Sequence, residues 1–180
     1  MGQYYRAYTK NAKEELVWSL QCTDFTETRN FDWYIGVKLV EHSWYGNTLT
    51  DAMSFYLYHN PTQLAWVGDY ADEAEVYEKC WGEKSVDFNY QVHDQAFDYA
   101  GKWLVNHTTK QAFMLDKPAG EDWAVYPVSI ITACGNGRGG GDYPTAHKMV
   151  GVWAMNTLSI EDAVPEGYQP IENPNFQIEF

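Results

Sequence analysis

The sequence predicts an α+β fold, a single domain built on a mainly antiparallel sheet with one to three short helices. Three observations carry that expectation. Short runs rich in aromatic and β-branched residues recur between turn formers, and one segment has clear helical spacing. The chain is 180 residues long, 45% hydrophobic and 17% aromatic, which is core material for one domain but too little for two comfortable ones.

The elements follow in order. Gln3–Thr9 reads as a strand, Lys13–Glu15 as a turn and Leu16–Leu20 as a second strand, together an N-terminal hairpin. Residues 23–32 are polar and read as a loop, and Trp33–Val40 is an apolar run of strand length ending at Glu41-His42-Ser43. Thr48-Leu49-Thr50-Asp51 resembles a capping box with Asp in place of Glu. Behind it Leu49, Ala52, Met53, Tyr56 and Leu57 recur every three or four residues, which puts them on one helical face. His59-Asn60-Pro61 closes that helix, since the residue before proline avoids helical angles. Leu64–Val67 reads as a strand beside the first hairpin, Glu73–Trp81 as a short helix stopped by Gly82, and residues 86–100 suit either state.

The second half is more strongly β. Lys102–Val105 and Gln111–Leu115 flank the turn-forming stretch Asn106–Lys110, a hairpin. Val125–Ala133 reads as a strand, with Pro127 marking an edge or bulge, and Met149–Ala154 as another. From Ala163 onward Pro165, Gly167, Pro170 and Pro174 imply an extended tail, so the expected division is a domain over 1–162 and a surface-laid tail over 163–180.

Charge and cysteine usage exclude several functions. Twelve Lys and Arg against 25 Asp and Glu give a net charge of −13, which opposes direct binding to nucleic acid. The charge has two readings: solubility, or an acidic face that competes with nucleic acid for a basic protein partner. No apolar run reaches membrane-spanning length, and the basic-then-apolar pattern of a secretory leader is not seen. Cys22, Cys80 and Cys134 form no Cys-x-x-Cys pair, and an odd count suits reduced thiols, so a cytoplasmic location is expected. Metal binding is not expected, because no His-x-His, His-Glu-x-x-His or cysteine pair occurs, and no cofactor is implied.

The most distinctive segment is Gly135-Asn136-Gly137-Arg138-Gly139-Gly140-Gly141-Asp142, with five glycines in its first seven residues. So many glycines cost backbone entropy on folding, and such a loop serves where the backbone must approach something closely. Its amides can form an anion-binding nest, and Arg138 supplies a planar two-pronged donor for phosphate or carboxylate. Asp142 can orient Arg138, accept from a ribose hydroxyl or bind a metal. A Walker loop is absent, and Gly135-x-Gly137-x-x-Gly140 leads into Gly141-Asp142-Tyr143-Pro144 and a strand, not into the helix that would hold a pyrophosphate. A flexible hairpin connection is the alternative reading.

His147 and Lys148 follow the loop and, with Arg138, form the one locally basic cluster on an acidic chain, which favours an anionic ligand. The ligand-binding candidates are therefore Gly137, Arg138, Gly139, Gly140, Asp142 and His147, with Trp44 and Trp66 as rings for a flat base to stack on. Candidate acid–base groups are His42, Asp69 and His147. His107 reads as a solvated turn residue and His59 as a helix end.

Lys38–Asn47, Trp66–Asp72, Leu104–Thr108, the Gly135–Tyr143 loop, Ile160–Asp162 and Pro165–Tyr168 together resemble a set of small bacterial and phage proteins of uncharacterised activity. The likeness covers most of residues 1–168. It implies a bacterial or phage origin and carries over no functional residue.

Three functions follow as expectations. The first is a non-enzymatic binding domain for an anionic small molecule, a nucleotide above all, that senses or sequesters it, in a phage as an anti-defence device. The second is an acidic, nucleic-acid-mimicking inhibitor of a basic protein. The third is a hydrolase using His and Asp as general acid and base. An oligomer is compatible with each.

Overall fold

The computed structural model describes residues 4–10, 16–20, 43–71, 96–120, 124–135, 142–143 and 147–176. Within these, one mostly antiparallel sheet and two helices make an α+β arrangement. The expected loop over 23–32, the strand over 33–40 and the helix over 73–81 lie outside the described residues.

Strand β1 (Tyr5–Lys10) pairs antiparallel with β2 (Leu16–Leu20), as the hairpin reading requires. On its other side β1 pairs along its whole length with β3 (Thr62–Gly68), so Tyr5 lies opposite Gly68. The hairpin of β4 (Trp103–Asn106) and β5 (Gln111–Met114) also forms as expected. Its turn is closed by Asn106, whose Oδ1 accepts from the Thr108 and Thr109 amides at 2.9 and 3.0 Å.

The second edge of β3 is shared by two strands. β6 (Ala133–Cys134) runs parallel to it opposite Trp66 and Val67, and β7 (Asn156–Glu161) runs antiparallel opposite Thr62–Leu64. These two begin back to back at the middle of β3 and run apart. β7 then joins β4, and β8 (Gln169–Pro170) closes the far edge, parallel to β5. The order is β2-β1-β3-β7-β4-β5-β8, with β6 beside β3.

Helix α1 (Thr48–Leu57) forms where the spacing predicts. Its cap is one residue earlier than the capping-box reading: Asn47 Oδ1 accepts from the Leu49 amide at 2.8 Å, and Thr50 Oγ1 turns to the Asn47 and Trp44 carbonyls. Leu49, Met53 and Leu57 are buried against Leu64, Trp66, Leu104, Phe113, Leu158 and Ile160 in the main core. Each such side chain stabilises the fold by about 1.5–3 kcal/mol. The opposite face of the sheet, set by strand alternation, carries a smaller cluster of Tyr8, Ala65, Val67 and Cys134.

Two expected strands are replaced. Over Val125–Ala133 the chain makes helix α2 (Pro127–Ile131), with Pro127 in the first turn, where its missing N–H costs nothing and its fixed φ suits the helix. All five residues are buried, so no periodicity marks the segment as helix or strand. Over Met149–Ala154 the chain makes successive turns, with Val150, Val152 and Ala154 donating to the His147, Met149 and Gly151 carbonyls. Gly151 at φ 73° and Met155 at φ 63° break the extended run, and strand pairing starts only at Asn156. The Gly151 and Trp153 amides bond the Ile130 and Ile131 carbonyls, which ties this turn region to α2.

No described helix is long and apolar enough to cross a membrane.

Candidate functional site

The pairing of β1, β3 and β6 gathers several polar groups at one end of the sheet. Because β1 opposes β3 and β6 runs with it, the start of β1 and the ends of β3 and β6 coincide. Asp69 follows β3 there. It accepts from the Tyr4 amide through Oδ1 at 3.1 Å and donates its own amide to the Tyr4 carbonyl at 2.9 Å. Asp142 returns to the same end, where the fully buried Tyr5 donates its hydroxyl to Asp142 Oδ1 at 2.6 Å. Gly135 leaves β6 at φ 85°, in the left-handed region that glycine occupies freely. Both described anchors of the glycine-rich segment, Gly135 and Asp142, therefore stand at this end.

The electrostatics match the geometry. Burial raises the Asp69 carboxyl above the ordinary carboxylate range, opposed by the Tyr4 amide and reinforced by the charge of Asp142. Burial and the bond to Asp142 hold the Tyr5 phenol protonated far above its usual range.

The expected site residues separate. Asp69 and Asp142 come together. Gly137, Arg138, Gly139, Gly140 and His42 lie outside the described residues. His147 Nδ1 accepts from the Met149 amide at 3.1 Å, and its ring meets Phe176 edge-on at 5.0 Å. Trp44 is half-buried and bridges Val125 through its backbone. Trp66 is wholly buried in the main core, so its ring presents no face to a ligand in this structure, and its indole Nε1 has no hydrogen-bond partner among the described residues.

Two clusters escape sequence reasoning. Beside α1, Tyr99 donates to Asp51 Oδ1 at 2.7 Å, and Ser54 Oγ donates to the Thr50 carbonyl and lies 2.8 Å from the Tyr126 hydroxyl. Tyr45 stacks edge-on against both Tyr99 and Tyr126. Burial raises the Asp51 carboxyl, and the Tyr99 hydrogen bond opposes this.

The second cluster centres on His107. Ser159 donates to Glu161 Oε1 at 2.6 Å, which uses its one proton, so its oxygen accepts from His107 Nε2 at 2.8 Å. His107 Nδ1 then accepts from the Tyr168 hydroxyl at 2.9 Å. Glu161 Oε2 takes a further bond from His59 Nδ1 at 2.6 Å. The residue types are those of a nucleophile–base pair, but here His107 donates to Ser159 and does not accept from it, and Ser159 is fully buried. Nearby, Asp162 is lowered by its bonds from Lys102 and Tyr58. Alternation places Ser159 and Glu161 on one face of β7, which is legible; their meeting with His107, 52 residues from Ser159, is not.

The fold and the polar sheet end define an α+β protein with a partly buried tyrosine–carboxylate cluster where the ends of three strands meet. Comparison with protein families, with curated proteins and with solved structures finds no match.

Proposed function

We propose that the chain is a single-domain binding protein, residues 1–162 with a tail over 163–180, for an anionic small molecule, and that the ligand is a nucleotide. The observation that supports this is the convergence of Gly135 and Asp142 on the end of β1, β3 and β6, beside Asp69 and Tyr5. On this reading the glycine amides and Arg138 donate to phosphate, while Asp69 and Asp142 accept from the ribose hydroxyls. The two carboxylates repel phosphate, which assigns them to the sugar end of the ligand. Sensing or sequestering a nucleotide signal, in a phage as an anti-defence measure, is the role such a site serves.

Calorimetry of the full chain against ATP, GTP, a cyclic nucleotide and inorganic phosphate tests the proposal. Micromolar binding is expected, and Arg138→Ala should weaken it at least about tenfold, since a charge-assisted hydrogen bond contributes about 1.5–3 kcal/mol. No binding tighter than millimolar overturns it.

One observation favours a second reading, hydrolysis by acid–base chemistry: Asp69 is pushed towards its protonated form beside the charge of Asp142. That reading requires nucleotide turnover that Asp69→Asn abolishes while the fold is retained.

A further inference from the structure

We infer that residues 163–176 form a strap whose tip among the described residues, Phe176, sets the position of the limb carrying Asp142, Tyr143 and His147, so that strap docking and ligand occupancy are coupled. This rests on the proposed ligand site and adds a means of controlling it.

The near end of the strap is firmly held. Gln169 and Ile171 donate their amides to the Lys110 and Ala112 carbonyls at 2.9 and 2.8 Å, and Asn173 Nδ2 donates to the Met114 carbonyl at 2.7 Å. Tyr168 adds its bond to His107. The tip is held differently. Phe176 is 7% exposed, and it meets Tyr143 edge-on at 5.5 Å and His147 at 5.0 Å. Tyr143 is itself 4% exposed and directly follows Asp142, whose carboxylate is fixed by Tyr5. A continuous line of contacts thus joins the strap tip to the polar end of the sheet.

Beneath the far part of the strap lies a cleft of about 40 Å³ that opens to solvent, lined in part by Tyr45, Asp116, Pro127, Asn173, Asn175 and Phe176. Asn175 sits at φ 51°, a left-handed conformation held by its amide bond to Asn173 Oδ1. A segment held at this end by ring contacts beside a solvent-reaching cleft opens at lower free energy than the hydrogen-bonded strands. A ligand that needs the Asp142 limb in place therefore favours the docked strap, and the docked strap favours the ligand by the same factor.

The test is hydrogen exchange on the full chain and its Phe176→Ala and Phe176→Leu variants, with ATP affinity as a second readout. The Met149 and Val150 amides, which bond His147, should exchange at least about tenfold faster in Phe176→Ala and by an intermediate factor in Phe176→Leu, with Leu104–Asn106 unchanged. Unchanged exchange at Met149 and Val150 overturns the inference. So does acceleration that spreads equally to Leu104–Asn106 in both variants, because Phe176 would then be an ordinary core residue. If the wild type binds ATP, Phe176→Ala should weaken it by about 5- to 150-fold, the usual range of coupling, and equal affinity overturns the coupling. If the wild type does not bind ATP, the nucleotide reading fails, and the exchange result alone decides whether the strap positions the limb.

Discussion

Replacing Gly151 with alanine probes the joint between the turn region and β6. Gly151 sits at φ 73°, and a Cβ added there would lie 2.6 Å from the Ala133 carbonyl oxygen. Two costs follow. A side chain in the left-handed region costs about 1–2 kcal/mol. The overlap with backbone cannot be relieved by rotating a side chain, so β6 or the turn must shift, at about 1–3 kcal/mol. Their sum, about 2–5 kcal/mol, lowers Tm by roughly 4–20 °C at the 2–4 °C per kcal/mol typical of chains this long. Gly167 separates the two terms, because it has φ 81° and nothing within 4 Å of its added Cβ. Gly167→Ala should therefore carry the conformational cost alone. Urea unfolding of both variants at 25 °C measures the difference. A Gly151→Ala loss no greater than that of Gly167→Ala refutes the steric argument.

Three further outcomes are expected. Burial lowers the His107 imidazole, with Glu161 opposing, so the folded state binds fewer protons than the unfolded one. Stability should be whole above the unfolded value of about 6.5 and decline as pH falls below it, a slope that His107→Gln reduces in Tm measured from pH 7 to pH 5. Asp69 is raised, so its ionised form opposes folding at neutral pH. Asp69→Asn, which keeps an acceptor for the Tyr4 amide, should stabilise by on the order of 0.5 kcal/mol at pH 7 after allowance for solvent screening, an advantage that vanishes below pH 4. Asn47→Ala removes the α1 cap and should cost about 1 kcal/mol by chemical unfolding, with Asn47→Asp retaining most of the stability.

Local chemistry decides which parts of the fold are legible in the sequence. The Asn106 turn and the α1 periodicity depend on residues a few positions apart, and both are read correctly, the cap by one residue short. α2 is misread because five buried residues in a row, four of them apolar, have no period and because Pro127 suits a helix start as well as a sheet edge. The Met149–Ala154 run is misread because its apolar content outweighs one glycine, and only the close approach to Ala133 shows why Gly151 must turn. Site residues fare worse. Asp69 and Asp142 are named from composition and loop context, but Tyr5, 137 residues from Asp142, holds no local signal of its role. Trp66 is taken for a stacking ring because abundance of aromatics says nothing of which ones the sheet buries. His107 looks solvated because its partners arrive from β7 and from the strap.

Pro170 has a consequence for how this chain meets its own copies. Gln169 and Ile171 turn their amides inward to β5, so by alternation the residue between them faces the surroundings. That residue is a proline and has no N–H to give. Among the described residues, the outermost rung of the sheet thus lacks the donor with which an incoming strand would begin to add, a guard against edge-to-edge accretion. Pro170→Thr would restore the donor, and concentrated samples of that variant should self-associate where the wild type stays dispersed.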